Sequence, residues 1–269
     1  LVDHRFSTDW LRLREPFDHA ARSGDMVRAF GASLGPSRPR LLELATGLGS
    51  GARFVDQCIG CSVDWTLLDH DDRLLSDLRR EMNSQRPQLE FTTVQHDLQD
   101  IDGLPEGVDG VTTQALLDLV SLSWLERFGR WLVEHQLPLL AAISVDGRMT
   151  WTIDDDDDGC VQAAFRTHQT WDRGFGASPG VEAVSVLSTI LEHAGYQTQQ
   201  AESDWIIPAE STEMMAMMIE GIAEAAMEAA RAVGVAPARM ASWRDRRLAQ
   251  LGQVGLRVGH LDLLAIPAR

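Results

Sequence analysis

The chain has 269 residues, 44% of them hydrophobic, and a formal net charge of −16. That length can bury one large core with additions, and the acidic balance repels phosphate backbones, so nucleic acid is not expected as a partner. No apolar stretch approaches the roughly 20 residues of a membrane span, and the charged opening Leu1-Val2-Asp3-His4-Arg5 lacks the apolar centre of a signal peptide.

Asp9 to about Phe30 reads as a helix, with Leu11, Leu13, Phe17, Ala20 and Ala21 on one side and Arg14, Asp18 and Arg22 recurring along another. Gly31–Pro39, rich in Gly, Ser and Pro, links it to the first strand. Strand-length apolar runs follow at Leu41–Ala45, Ser62–Leu68, Glu90–Val94, Gly110–Thr113 and Leu139–Val145. Helical stretches separate them, notably Arg73–Met82 and Trp124–His135, the latter opened by a capping box from Ser123 to Glu126. Near-continuous apolar strands alternating with helices indicate a parallel sheet covered on both faces.

Beyond Val145, Met149–Ile153 extends the fifth strand or pairs with it through an Asp146-Gly147 hairpin turn. The run Asp154–Asp158 with Gly159 opens like a calcium loop, but Phe165 stands where such a loop needs a bidentate Glu. It reads as a solvated acidic loop, and no metal is expected. A helix over Val181–Ala194, a strand around Gln197–Ile207 and a long helix over Glu213–Val233 come next. In that helix Met214, Met218, Ile222 and Ala225 form a stripe opposite Glu220, Glu224 and Glu228, a packed core face or the contact of a homodimer. A helix over Ala238–Leu251 leads into a final alternating strand, Leu256–Ile266.

The chemistry concentrates around Arg40–Gly51, where an apolar strand carrying Glu43 breaks into alternating glycines before a helix starts at Ala52. Glycine allows the tight turn and lets a ligand lie against bare backbone. A carboxylate just before that turn suits a ligand with a positive end, such as S-adenosyl-L-methionine, better than the anionic pyrophosphate of a nicotinamide dinucleotide. The second strand ends at Asp69, 20 residues after Gly49, where an acid can accept from both ribose hydroxyls. Gln95-His96-Asp97-Leu98 follows the third strand, placed to read an adenine edge, and Thr112–Asp118 leaves the fourth. All four stations fall at the carboxyl ends of strands, where open parallel sheets bind ligands.

Over Arg40 to Val145 the sequence resembles the class I S-adenosylmethionine-dependent methyltransferases. The resemblance implies a Rossmann-like, doubly wound α/β fold with a seven-stranded, mostly parallel sheet and an antiparallel last strand. It also implies that Glu43 and the loop Ala45, Thr46, Gly47 and Gly49 hold the methionine part, Asp69 and His70 the ribose, and Asp97 and Leu98 the adenine. Ala45 departs from the pattern, since the family has a glycine there. Arg22 and Gln114 complete the expected cofactor contacts. The expected organisation is a helical cap over 1–39 and a methyltransferase domain over 40–269, with a cap insertion at about 154–180 and helical additions at about 208–252. A nicotinamide-dependent oxidoreductase and a non-catalytic nucleoside-binding sensor remain the alternatives.

The acceptor is expected to be a small molecule, methylated on oxygen or nitrogen and carrying an anionic group. His168 is the first choice of general base, because an imidazole titrates near neutrality, with Asp118 to orient the acceptor. Trp10, Arg14, Asp146, Arg148, Trp151 and Arg173 are the expected substrate contacts. All 24 basic residues are arginine, which excludes a P-loop lysine or a pyridoxal Schiff base. The odd cysteine count, Cys58, Cys61 and Cys160, argues against a disulfide framework and for a cytoplasmic setting.

Overall fold

The structure, a computed structural model, describes residues 7–35 and 38–268. The charged opening Leu1–Arg5 and two residues of the Gly31–Pro39 link lie outside them. Strands β1 (Arg40–Leu44), β2 (Asp64–Asp69), β3 (Glu90–Gln95), β4 (Gly110–Gln114) and β5 (Leu139–Trp151) pair in parallel in the order 3-2-1-4-5. The long final strand β8 (Leu256–Pro267) runs antiparallel to β5 and to β6 (Tyr196–Glu202). The chain crosses over beside β1, so the carboxyl ends of β1 and β4 part and leave the crevice where such sheets hold ligands.

The single strand expected around Gln197–Ile207 is two, β6 and the short β7 (Trp205–Ile207), giving eight strands rather than seven among the described residues. Both pair with β8, and Asp204 between them accepts from the His260 N–H and pairs with Arg148 and Arg257. Met149–Trp151 extends β5 and forms no hairpin: the register slips at a bulge and then continues along β8 from Met149↔Val258 to Trp151↔Leu256. A second bulge puts Ile143 at φ 54°, a conformation that a β-branched residue rarely adopts. Its N–H donates to Asp262 Oδ1 at 3.0 Å.

The first helix is also two, α1 (Thr8–Ala21) and α2 (Gly24–Ser33). Between them Arg22 is extended, Ser23 Oγ caps α2 by accepting from the Met26 N–H, and the Ser23 N–H donates to Asp262 Oδ2. Helices α3 (Ser50–Cys58) and α4 (Asp72–Gln85) join α2 on one face of the sheet, and α5 (Leu122–Glu134) and α7 (Ala183–His193) cover the other. Ser121, not Ser123, caps α5, accepting from the Trp124 N–H.

A third apolar cluster lies under α6 (Asp158–Gln169), α8 (Thr212–Ala229) and α9 (Pro237–Ala249). Met214, Met215, Ile219 and Ile222 of α8 are buried there, so its methionine face is core. The acidic run is solvated only in part: Asp154 and Asp156 are exposed, whereas Asp155 and Asp157 pair with Arg246, Asp157 also with Arg239, and Asp158 with the fully buried Arg247. No helix among the described residues is long and apolar enough to cross a membrane.

Candidate functional site

A cavity of about 820 Å³ opens at the carboxyl ends of β1–β4, within the usual range for small-molecule sites. The loop from β1 into α3 forms one wall. Ala45 there has φ 50°, so an alanine occupies the left-handed backbone that the turn demands. Gly49, at φ 79°, starts α3, and Gly47 lines the cavity. The loop is tied to the next strand, because Asp69 Oδ2 accepts from the Gly47 N–H at 2.9 Å and Oδ1 from the Asp71 N–H at 3.0 Å. A carboxylate has about four lone-pair sites, so Asp69 keeps acceptors for a ligand. His70 beside it is exposed, and its hydrogen bond to Asp69 raises its pKa.

Glu43 is 1% exposed and stands beneath the loop, not in the cavity. Its Oε2 accepts from Thr46 Oγ1 at 2.6 Å, and its Oε1 has no partner. A Cβ at Gly51 would sit 1.8 Å from that Oε1, so glycine is required where α3 passes over the acid. Burial pushes the carboxyl up to about 7 against the pull of Thr46 and Arg22. Arg22 lies in the same layer, over the Phe54 ring and donating to Gln114 Oε1 at 3.1 Å. Gln114 lines the cavity, and with its oxygen engaged it has amide N–H groups to offer there. The expectation that Glu43, Arg22 and Gly49 touch the ligand is therefore corrected: none of them lines the cavity, and Glu43 braces the loop through Thr46, Arg22 holds Gln114, and Gly49 turns the chain into α3.

At the third-strand end, Asp97 and Leu98 line the cavity with Leu74 and Phe175. Phe175 lies in a loop held by its own carboxylate: Asp172 Oδ1 accepts from the Gly174 and Gly176 N–H groups at 2.7 Å. Gln99 Nε2 donates across to Gly174 O at 2.8 Å, and the Phe175 ring meets Trp124 edge-on at 6.2 Å. The sequence reading missed Phe175, although an aromatic flanked by Gly174 and Gly176 was a usable sign. It also missed Leu11 of α1 and Leu119 after β4, which line the cavity with Asp18 and with Ala115 and Leu116 of the expected Thr112–Asp118 station.

The expected substrate contacts divide sharply. Arg14 and Arg173 line the cavity. Trp10 packs edge-on to Trp205 at 6.1 Å, outside it. Asp146 and Arg148 are spent in an ion-pair group with Glu202 and Asp204 at the β5–β8 strands. Trp151 is buried under Arg247, whose guanidinium carbon is 4.3 Å from its ring. These four are corrected from substrate contacts to structural groups, because complementary charge or apolar area within the fold already consumes each.

His168 is corrected as well. Its Nδ1 accepts from Arg173 Nη2 at 3.0 Å, since arginine only donates, which leaves Nε2–H to donate to Glu228 Oε2 at 3.0 Å. Burial lowers its pKa, and no lone pair is left to take a substrate proton. Asp118 stands behind the cavity wall rather than in it. Its Oδ1 is buried without a partner, and burial pushes the carboxyl up to about 6 against the fields of Arg14 and Arg173.

No protein-family model matches the chain, and no curated protein matches its sequence. Solved structures do. A cyclopropane synthase from Mycobacterium tuberculosis is 13% identical at a TM-score of 0.53, covering 97% of this chain and 94% of that one. A phosphoethanolamine N-methyltransferase from Haemonchus contortus, solved with S-adenosyl-L-methionine, is 12% identical at a TM-score of 0.49, covering 99% of this chain and 59% of its own. An O-methyltransferase family protein from Burkholderia thailandensis is 13% identical at a TM-score of 0.47, covering 93% and 56%. The chain has the Rossmann-like fold of the class I S-adenosylmethionine-dependent methyltransferases, with the mostly parallel sheet and antiparallel closing strand expected of it.

Proposed function

We propose that this protein is an S-adenosyl-L-methionine-dependent methyltransferase that methylates an oxygen or nitrogen of a small molecule. The observation that carries the reading is the single cavity wall in which Asp69 both fastens the glycine loop and faces the space at the β1–β4 crossover. The donor set suits this cofactor: Asp69 for ribose hydroxyls, Leu74, Leu98 and Phe175 for the faces of adenine, and Gln114 for the polar methionine end. The N-terminus of α3, behind Ser50, adds a positive field for a carboxylate. When bound, the sulfonium supplies a methyl group already activated for displacement.

The chain's own task is then alignment and exclusion of water. Leu11 of α1 closes one side, and Leu116 and Leu119 form an apolar wall where the acceptor would lie. Among the described residues no histidine lines that wall, so an acceptor that is already a nucleophile, or one that sheds its proton to solvent, suits the site best. The free cysteines fit a reducing, cytoplasmic setting.

Calorimetric titration with S-adenosylhomocysteine and, separately, NAD tests the reading. Micromolar binding of the first and none of the second is expected; the reverse order would assign the cavity to a nicotinamide enzyme. Binding without turnover on a broad acceptor panel would point instead to a sensor.

A further inference from the structure

We propose that Arg173 receives the anionic head of an acceptor whose apolar body lies against Leu116, Leu119 and Phe175. This rests on the methyltransferase reading of the same cavity. Among the described residues two arginines line the cavity, and they are in opposite states. Arg14 is neutralised: Nε and Nη2 donate to the two carboxylate oxygens of Asp18 at 3.0 and 3.2 Å, with its guanidinium carbon 5.1 Å from the Trp205 ring centre. Arg173 has no carboxylate within ion-pair distance among the described residues. Its one hydrogen-bond partner is the uncharged Nδ1 of His168, and its buried Nε has none.

Arg173 is half-buried with its Nε buried and unpartnered, and the planar fork of a guanidinium fits a carboxylate or similar oxyanion. His168, fixed from behind by Glu228 of α8, holds one edge of that fork without discharging it. The field of Arg173 reaches the buried Asp118 carboxyl, which makes no contact with it and occupies none of its donors.

The cofactor's own carboxylate is the other anion that enters this space. Arg173, however, comes from the segment after α6 and stands with the residues that follow β4. The glycine loop and the α3 N-terminus face the methionine end from the β1 side.

The test titrates protein loaded with S-adenosylhomocysteine with matched pairs of probes: benzoate and benzamide, cinnamate and cinnamamide, octanoate and octanamide. At least one acid should bind about tenfold tighter than its amide, the gain expected of a charge-assisted pair. Arg173→Gln should abolish that preference while leaving the amide within about twofold, and Arg173→Lys should restore part of it. No preference in any pair, or one that survives Arg173→Gln, overturns the proposal. The same variant is titrated with S-adenosylhomocysteine and with 5′-methylthioadenosine, which lacks the carboxylate. Unchanged affinities support the acceptor assignment; a loss confined to S-adenosylhomocysteine gives Arg173 to the cofactor and overturns it. Failure of the wild type to bind S-adenosylhomocysteine would strike the functional reading alone, and the acid–amide pairs run on the unloaded protein would still judge Arg173.

Discussion

Along the β1–β3 wall of the cavity the backbone does the shaping, whereas on the wall from α1, the β4 exit and the loop after α6 the side chains do. Asp69 organises the first wall through two main-chain N–H groups, and left-handed residues set its turn. On the second wall Arg14 is discharged by Asp18 one helical turn on, and outside the cavity Arg148 with Asp204 and Arg247 with Asp158 cancel across long stretches of sequence. Local backbone geometry tolerates little variation, while charge pairing can be re-dealt among segments. The first wall therefore suits a constant cofactor and the second a variable acceptor.

The contrast can be broken in graded steps. Arg247→Ala should have the largest effect, because it deletes a fully buried side chain, leaves the half-buried Asp158 without its cation beside Trp243 and opens the cluster under Trp151. Urea melts should show a loss of about 3–5 kcal/mol, as for other broken buried pairs, with cofactor affinity little changed. Asp69→Ala should do the opposite, weakening S-adenosylhomocysteine by at least about tenfold in calorimetry while costing less stability. If both variants lose binding and stability in proportion, the walls are not separable.

Glu43 sharpens the comparison through pH. Its folded carboxyl, held up to about 7 against an ordinary 4.5, binds a proton that the unfolded chain has released. Its contribution is full below the ordinary value and is lost as pH rises through 7. Glu43→Gln escapes that loss, so between about pH 5 and 8 it should gain on the wild type by about 2–3 kcal/mol, read from urea melts across the range. A smaller gain of about 0.5–1 kcal/mol is expected for Ala45→Gly, which relieves the left-handed alanine at some cost in unfolded-chain entropy. Arg148→Ala, outside the cavity, should leave the acid–amide preference within about twofold, unlike Arg173→Gln.

The first wall was legible because its signals are local. Leu41–Leu44, the glycines and Asp69 announce themselves within a few residues, and β1 to β4 fall within a residue or two of their expected places. The second wall was not, because what distinguishes Arg173 from Arg14 or Arg148 is the absence of a carboxylate partner among the described residues, and only the fold decides which acids each arginine meets. The break between α1 and α2 carried a local sign, Ser23-Gly24, that the apolar periodicity on either side masked, and the residue that fastens the turn there, Asp262, is remote in the chain. Ser121 and Ser123 are chemically equal candidates for capping α5, so only the fold chooses between them.

Asp262 grips the Ile143 bulge with one oxygen and the Ser23 N–H with the other. The α1 helix that closes over the cavity is thereby indexed to an irregularity deep in the sheet, not to the strand ends it overhangs. Transplanting α1 onto a related scaffold would misalign it unless the kinked strand and its aspartate travelled along, making those distant segments one inherited unit.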